Sequence, residues 1–246
     1  WLGARVHRCL IAGMAGSQQG WQEAPYCPCP AGFDELARHL HWIEPGRIAI
    51  VPGLSCQPET GVPDVMRGEE VQIFGALQLS ALTDGLFVLP GTHSKWALVR
   101  DGRVTGFRTY MTGEFYALLS RQSLLARTLD AEAPFDGHAF AEGVRRARQG
   151  PSLLHTAFGA RTRALFGLSD AAALASYLSG LVIGEELRAQ ADAAQMLEAP
   201  LQLVGSAALC LRYAAACQVL GWPCQVQDSA VGWAGLHALS RTIDWS

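Results

Sequence analysis

Residues 86–110, LFVLPGTHSKWALVRDGRVTGFRTY, decide the fold class because they hold three short β-rich runs. The runs are LFVLPG, WALVR and RVTGFRTY, and the pair Asp101-Gly102 separates the last two. An Asp-Gly pair between two such runs is the strongest short signal for a two-residue hairpin turn. The sequence therefore predicts an antiparallel meander in this region.

On both sides of this meander the hydrophobic pattern is mainly helical, with a few strand-like runs between helices. A strand meander combined with strand–helix units indicates an α/β protein. A predicted helix ends near residue 83, just before the meander begins, so we predict domains at 1–83 and 84–246. We predict strands at 6–12, 47–53 and 224–227, a Pro- and Gly-rich loop at 52–63, helices at 33–42, 65–82, 114–126, 140–148, 170–195 and 230–241, and a strand, turn and helix across 201–221.

Charge and hydropathy exclude two classes of partner. The 246 residues carry 19 basic and 22 acidic side chains, a balance that disfavours nucleic acid because phosphate contacts need clustered Lys and Arg. The longest uncharged stretches, such as 171–184, fall short of the roughly 20 apolar residues needed to cross a bilayer. We expect no nucleic-acid partner, no membrane span and a cytoplasmic location.

The seven cysteines do not indicate a disulfide framework, because their number is odd and their spacing irregular. Cys27 and Cys29 with His39 and His41 suggest a metal site, but two histidines two apart on a helix face different sides. We therefore predict reduced thiols and no bound metal at this cluster.

Two turns could present backbone N–H groups to a ligand. PGTHSKW, 90–96, lies between two strands, and such a hairpin can direct N–H groups and a hydroxyl toward phosphate oxygens. VGSAAL, 204–209, places a Gly-Ser turn at a helix N-terminus, which suits a closely approaching ligand. Taken alone, PGTHSKW is better explained as an ordinary hairpin with a polar tip, and VGSAAL is also consistent with a tight strand–helix turn.

The tripeptide GEE, 68–70, places Glu69 and Glu70 in the first turn of a predicted helix. Acidic residues there are stabilised by free backbone N–H groups without any function. The alternative is a general base or a magnesium partner, as phosphoryl transfer to an alcohol requires. Arg67 could bind a substrate carboxylate through its planar fork, or simply be solvated.

The order of these motifs is more informative than any one of them. The series IAGMAGSQQGWQEAPY, VPGL, DVMRGEE, LPGTHSKW, FRTYMTGE, YLSGLVIGEE and LVGSAAL resembles the 2-dehydro-3-deoxygalactonokinase family from about residue 10 to about residue 239. The resemblance implies a two-lobed actin/hexokinase-like (ribonuclease H-like) α/β fold. It also implies that the first lobe binds sugar and that ATP lies in the cleft between the lobes.

The same order of motifs occurs in the more distant FGGY carbohydrate kinases, and this comparison assigns roles by resemblance. It places Glu69 at the position of a catalytic Asp, with Glu70 as the alternative base. The further residues implied are Ser17, Gln18, Trp21 and Arg67 for the sugar acid, Gly91, Thr92, His93, Ser94 and Lys95 for the nucleotide phosphates, and Gly205 and Ser206 for adenosine.

The family also opens with an Asp-Trp-Gly-Thr strand and turn that contacts phosphate and metal, and no such segment precedes Trp1. We therefore expect an incomplete first lobe and impaired catalysis in the chain as given.

The function implied is transfer of the ATP γ-phosphoryl group, with Mg²⁺, to the 6-hydroxyl of 2-dehydro-3-deoxy-D-galactonate in galactonate catabolism. Two alternatives stay open: a kinase of another 2-keto-3-deoxy sugar acid, and a nonenzymatic relative that binds nucleotide or sugar. Homo-oligomerisation also stays open.

Overall fold

The computed structural model of the chain describes residues 7–57, 61–191 and 199–246. It divides into two compact units. Unit 1 comprises Trp1–Leu89, Lys95–Thr109 and Gln227–Ser246, and unit 2 comprises Pro90–Ser94 and Tyr110–Val226. The start of the predicted strand 6–12 and the end of the predicted helix 170–195 lie outside the described residues.

Runs of strands and runs of helices follow one another along the chain, which makes the fold a mixed α/β one. In chain order the strands are β1 (Cys9–Ile11), β2 (Tyr26–Pro28), β3 (His41–Glu44), β4 (Ile48–Ile50), β5 (Gly53–Cys56), β6 (Asp64–Met66), β7 (Gly85–Leu89), β8 (Ser94–Arg100), β9 (Arg103–Tyr110), β10 (Leu201–Leu203) and β11 (Cys224–Val226). The helices are α1 (Phe33–Arg38), α2 (Glu69–Ser80), α3 (Thr112–Gln122), α4 (Gly137–Gln149), α5 (Leu153–Thr156), α6 (Phe158–Leu165), α7 (Ala171–Ala189), α8 (Ala207–Leu220) and α9 (Val231–Ser240).

The sheets of unit 1 are short and mixed. β1 pairs parallel with β4, which pairs antiparallel with β3. β2 pairs parallel with β5, which pairs antiparallel with β6. The predicted meander is confirmed: β7 and β8 are antiparallel, and β9 lies beside β8 after the turn at Asp101 and Gly102. Both turn residues have positive φ, 51° and 70°, as a type I′ hairpin requires.

Helices α2 and α9 of unit 1 cross through two glycines. A Cβ at Gly75 would overlap the Val231 carbonyl oxygen, and a Cβ at Gly235 would overlap the Val71 carbonyl oxygen. Each glycine therefore allows the backbone of one helix to contact the other. This crossing anchors α2, whose first turn carries the predicted acidic pair.

Unit 2 is built around α7, most of which is buried. Asp170 caps α7 by accepting the backbone N–H of Ala173. α7 crosses α4 through Gly143 and Gly180, whose added Cβ atoms would overlap backbone of the opposite helix. β10 and β11 form a parallel pair, with α8 between them in the chain.

Three predicted elements are wrong in part. The helix predicted at 65–82 begins only at Glu69, because Val65 and Met66 belong to β6. The helix predicted at 33–42 ends at Arg38, and His41 instead begins β3, opposite Ile50. The loop predicted at 52–63 contains β5, because its glycine and small residues pair with β2 and β6. These errors have one cause, since strand pairing determines these segments more than their own hydrophobic pattern does.

The structure also bears on the thiols and on membrane insertion. All seven cysteines are unpaired. No helix within the described ranges is both long and apolar enough to span a bilayer.

Candidate active site

A glycine-rich loop after β1 lies against the turn that precedes α2 in unit 1. Gly13 has φ 86° and begins a short 3-10 turn, Met14–Gly16. Gly68 has φ 102°, and a Cβ there would lie 3.2 Å from the Gly13 Cα. Both positions need glycine, because their φ values disfavour other residues and the two backbones nearly touch. The predicted sugar loop and the predicted acidic turn are therefore neighbours.

Glu69 and Glu70 both fold back onto the turn before α2. The backbone N–H of Arg67 donates to Glu69 Oε2 at 2.9 Å, and the backbone N–H of Gly68 donates to Glu70 Oε2 at 2.6 Å. These bonds satisfy donors near the helix start and hold the two carboxyl groups in place.

The two carboxyl groups differ in exposure and in charge. Glu70 has 0% of its surface exposed, whereas the side chain of Glu69 is 25% exposed. Burial, with a smaller contribution from the neighbouring Glu69, raises the pKa of Glu70 to about 8 against the opposing effects of its backbone donors and Arg67. Glu70 is therefore mostly protonated at neutral pH, and only Glu69 can meet a solvent-borne substrate.

Lys95, the sole lysine in the sequence, joins the acidic pair. Its Nζ lies 4.0 Å from Glu69 Oε1, and its side chain is only 6% exposed. Burial lowers the pKa of Lys95, while Glu69 and Asp64 act in the opposite direction. Asp64 is held by Thr109, whose backbone N–H and hydroxyl both donate to it. The structure thus groups Lys95 with the carboxylates rather than leaving it at the hairpin tip.

Arg67 lies beneath the glycine-rich loop. Its Nη2 donates to the Ala24 carbonyl at 2.7 Å, and its guanidinium lies 4.4 Å from the centre of the Tyr26 ring. Nε and Nη1 are buried and have no hydrogen-bond partner among the described residues. A Cβ at Gly16 would lie 2.9 Å from Nη1, so the loop packs directly against this donor.

The other predicted sugar-site residues lie on the loop itself. The Ser17 hydroxyl donates to the Met14 carbonyl at 2.9 Å. Gln18 is exposed, and Trp21 is 59% exposed. Backbone hydrogen bonds from Gly20 and Trp21 back to Ser17 and Ala15 give the loop a defined shape. The loop therefore presents an amide and an indole at the surface.

The predicted phosphate turn belongs to unit 2, where α3 holds it. The backbone N–H of Glu114 donates to the Thr92 carbonyl at 3.0 Å, and the Glu114 carboxylate lies 2.5 Å from His93 Nε2. A Cβ at Gly113 would overlap the Gly91 carbonyl oxygen, so α3 begins in direct backbone contact with the turn. Thr92 and His93 are exposed, as a phosphate contact would need.

Ser94 differs from its neighbours in the turn. It is fully buried, and its hydroxyl donates to Glu186 Oε1 at 2.7 Å. In this structure its side chain is directed into unit 2 and is shielded from any phosphate.

A cavity of about 280 Å³ in unit 2 adjoins the turn. Gly91 contributes to its lining, together with Ala208 and Leu209 from the first turn of α8. Gly205 and Ser206 immediately precede that helix, and a Cβ at Gly205 would lie 3.4 Å from the Pro90 carbonyl oxygen. The predicted phosphate turn and the predicted adenosine turn are therefore adjacent within unit 2.

Sequence reasoning missed three groups that the structure places at this turn: Thr112, Glu186 and Tyr213. Both Thr112 and Tyr213 line the cavity, and all three meet in one buried hydrogen-bond network. The available signal was the carboxylate pair in YLSGLVIGEE, since a charged residue is seldom buried without a partner.

The cysteine and histidine cluster differs from the expectation in one respect. His39 and His41 do not share a helix, and His39 Nδ1 lies 3.6 Å from Cys27 Sγ. Burial raises the pKa of Cys27, which disfavours the thiolate that binds metals. No group of three potential metal ligands occurs within the described ranges.

Comparison with known proteins gives consistent matches. The family model for 2-keto-3-deoxy-galactonokinase matches residues 1–239. A protein of Rhizobium meliloti strain 1021, named "Probable 2-dehydro-3-deoxygalactonokinase DgoK1", is 37% identical over 95% of this chain and 78% of its own length. The 2-dehydro-3-deoxygalactonokinase of Escherichia coli K12 is 36% identical over 95% of this chain and 78% of its own.

A solved structure of a related protein also matches this chain. A candidate 2-dehydro-3-deoxygalactonokinase from Sinorhizobium meliloti superposes with a TM-score of 0.85 at 37% identity, covering 97% of this chain and 79% of that one. The mixed α/β fold and these matches define the class of the protein, a carbohydrate kinase. More narrowly, the chain belongs to the 2-keto-3-deoxy-galactonokinase family, which confirms the resemblance drawn from its motifs.

Proposed function

We propose that this protein transfers the γ-phosphoryl group of ATP to the 6-hydroxyl of 2-dehydro-3-deoxy-D-galactonate, in galactonate catabolism. Family membership supports the reaction class. The observation that carries the chemistry is Glu69, a partly exposed carboxylate fixed at the start of α2 and facing Lys95. A base held in this way is what proton removal from a substrate hydroxyl requires.

Glu69 acts as the base in this proposal, and Glu70 supports the turn. Glu70 has no exposed surface, and its raised pKa of about 8 leaves it mostly protonated at neutral pH. A protonated, enclosed carboxyl group cannot accept a proton from a bound sugar. Its oxygen instead holds the Gly68 N–H and so fixes the backbone next to Glu69.

Lys95 attracts the Glu69 carboxylate, because its Nζ lies 4.0 Å from Glu69 Oε1. The low exposure of Lys95 strengthens this effect, since water screens a buried pair less. We also propose that Lys95 serves the nucleotide phosphates.

The glycine-rich loop would bind the sugar acid. Gln18 and Trp21 present a hydrogen-bonding amide and an apolar face, and Ser17 shapes the loop between them. Arg67 would bind the substrate carboxylate through Nη1, one of two guanidinium nitrogens that lack partners among the described residues. Gly16 packs against Nη1, so in this proposal the loop shifts to let the carboxylate reach it.

The cavity of unit 2 would receive the nucleoside of ATP, with the phosphates directed to the turn at Gly91, Thr92 and His93. The N-terminus of α8, which follows Gly205 and Ser206, adds free backbone N–H groups that favour negative charge. Ser94 contributes by fixing the turn from below rather than by touching phosphate.

Mg²⁺ would enter with ATP, bound mainly by phosphate oxygens and water. This fits the donor set, because no cluster of three candidate ligands lies within the part of the chain that the structure describes, and magnesium in such enzymes needs few protein ligands. The ion would supply charge neutralisation on the transferring group.

We further propose that the fold is actin/hexokinase-like (ribonuclease H-like). In this proposal residues 1–83 serve the sugar and residues 84–246 serve the nucleotide. The mixed sheets and the α/β solved neighbour support it.

A substrate screen tests the function. The protein is incubated with Mg-ATP and a panel of 2-keto-3-deoxy sugar acids that differ in configuration, and ADP release is followed. Phosphorus and carbon NMR then locate the new phosphate ester. We expect 2-dehydro-3-deoxy-D-galactonate to be preferred and phosphorylated at C6. Preference for another acid would contradict the substrate assignment. If no acid in the panel led to ADP release, the kinase assignment would be contradicted.

A further inference from the structure

A carboxylate deep in unit 2 has no role in the chemistry described above. Glu186 lies on α7 and is 2% exposed, on a stretch of that helix that is otherwise mostly apolar. Its Oε1 accepts the Ser94 hydroxyl at 2.7 Å. Its Oε2 accepts the Tyr213 hydroxyl at 2.6 Å and also the Thr112 hydroxyl. Three hydroxyl donors from three different segments therefore converge on one buried carboxylate.

Packing alone does not explain this arrangement. Burying a carboxylate costs several kcal/mol of solvation, which hydrogen bonds offset only in part. A leucine or methionine at position 186 would fill the same space without that cost. A buried hydrogen-bond network is directional, so it fixes which segments meet and how far apart they lie.

The segments that meet at Glu186 are those that shape the phosphate turn. Ser94 ends the turn at 90–94, and Thr112 begins α3. The next residues of α3, Gly113 and Glu114, contact the backbone of the turn and hold its Thr92 carbonyl. Glu186 thus secures the turn from two sides, through its last residue and through the helix packed against it.

The third donor connects the network to the cavity. Tyr213 belongs to α8 and lines the cavity with Thr112. Burial raises the pKa of Tyr213 well above its ordinary value, and Glu186 adds to this effect, so the phenol keeps its proton and remains a donor. One carboxylate therefore links the wall of the cavity to the turn beside it.

We propose that Glu186 is a positioning residue that holds the turn at 90–94 in the shape that receives the phosphates of the nucleotide. The inference rests on the proposed function, and it adds a residue that controls phosphate binding without touching phosphate. Loss of the network should therefore weaken ligands that carry phosphates more than ligands that lack them.

The test compares ligands with and without phosphates on matched variants. Glu186→Gln removes the charge but keeps the size, and Ser94→Ala removes only the hydroxyl on the turn. Glu185→Gln is the control, because Glu185 neighbours Glu186 on α7 but pairs with Arg188 near the surface. Dissociation constants for ATP and adenosine are measured by calorimetry on the full chain, with thermal midpoints as a check of folding.

We expect Glu186→Gln and Ser94→Ala to weaken ATP about tenfold, the scale of one charge-assisted hydrogen bond, and adenosine by less than about twofold. Glu185→Gln should match the wild type. If both variants weaken ATP and adenosine equally, or weaken neither, the inference is wrong. If Glu186→Gln fails to fold, Ser94→Ala alone decides. A wild type that binds no ATP would instead contradict the proposed function.

Discussion

Replacement of Glu70 by Gln should change how stability depends on pH. Glu70 is fully buried, and its pKa is raised from an ordinary 4.5 to about 8, chiefly by loss of hydration. Glutamine has nearly the same shape and can still accept the Gly68 N–H through its carbonyl oxygen. The substitution therefore removes an ionisable group while retaining a hydrogen bond that the turn needs.

The sign follows from proton binding. Below about pH 4.5 the carboxyl group is protonated in both states and costs nothing. Between about pH 4.5 and pH 8 the unfolded chain releases this proton while the folded protein keeps it, so stability falls as pH rises. At about 1.4 kcal/mol per pH unit, the loss approaches about 5 kcal/mol above pH 8, an upper limit because the site relaxes when it ionises.

The measurement is a series of urea unfolding curves between pH 5 and pH 9. The wild type should lose stability across this range relative to Glu70→Gln, and the difference should level off above about pH 8. Glu69→Gln should reduce this loss only slightly, because the Glu69 charge is a minor cause of the raised pKa of Glu70 and burial is the main one. Parallel curves for the wild type and Glu70→Gln would refute the burial argument.

Three further predictions concern the helix crossing, the base and the cavity. Gly235→Ala should cost about 2 kcal/mol or more in urea unfolding, because its Cβ would overlap a carbonyl oxygen, whereas Gly232→Ala, three residues away and with open space around it, should stabilise by about 0.5 kcal/mol. Lys95→Met should lower kcat/KM at least several-fold, because Glu69 loses the cation 4.0 Å from its Oε1; an unchanged kcat/KM would show that this pair does not serve the reaction. Ala208→Phe should fill the cavity and weaken ATP binding at least about tenfold in calorimetry, with little change in Tm; unaltered affinity would place the nucleoside elsewhere.

Sequence predicted an element correctly where neighbouring residues alone determine its backbone conformation. The Asp101-Gly102 pair predicts its hairpin because both residues must adopt positive φ, and few other pairs do so easily. The helix predicted at 33–42 is wrong at its end because His41 pairs with Ile50, and the helical hydrophobic pattern of this segment does not reveal that pairing. β5 was missed because its Gly- and Pro-rich surroundings indicate a loop, whereas β2, about 25 residues earlier, and β6, just beyond it, pair with it.

Sequence likewise predicts only part of the candidate site. The motif GEE indicates two carboxylates at a helix start, and the structure has both there. Sequence does not distinguish them, because adjacent residues on a helix face different directions and only the surrounding packing buries Glu70. Glu186 could not be assigned either, since its donors Ser94 and Tyr213 lie 92 and 27 positions away.

Steady-state kinetics of Glu69→Gln and Glu70→Gln with Mg-ATP and 2-dehydro-3-deoxy-D-galactonate test the central claim most directly. Glu69→Gln should lower kcat about a hundredfold or more while the KM for ATP changes little, because the variant binds its substrates but lacks the base. Full activity in Glu69→Gln, with the loss found in Glu70→Gln instead, would contradict the account.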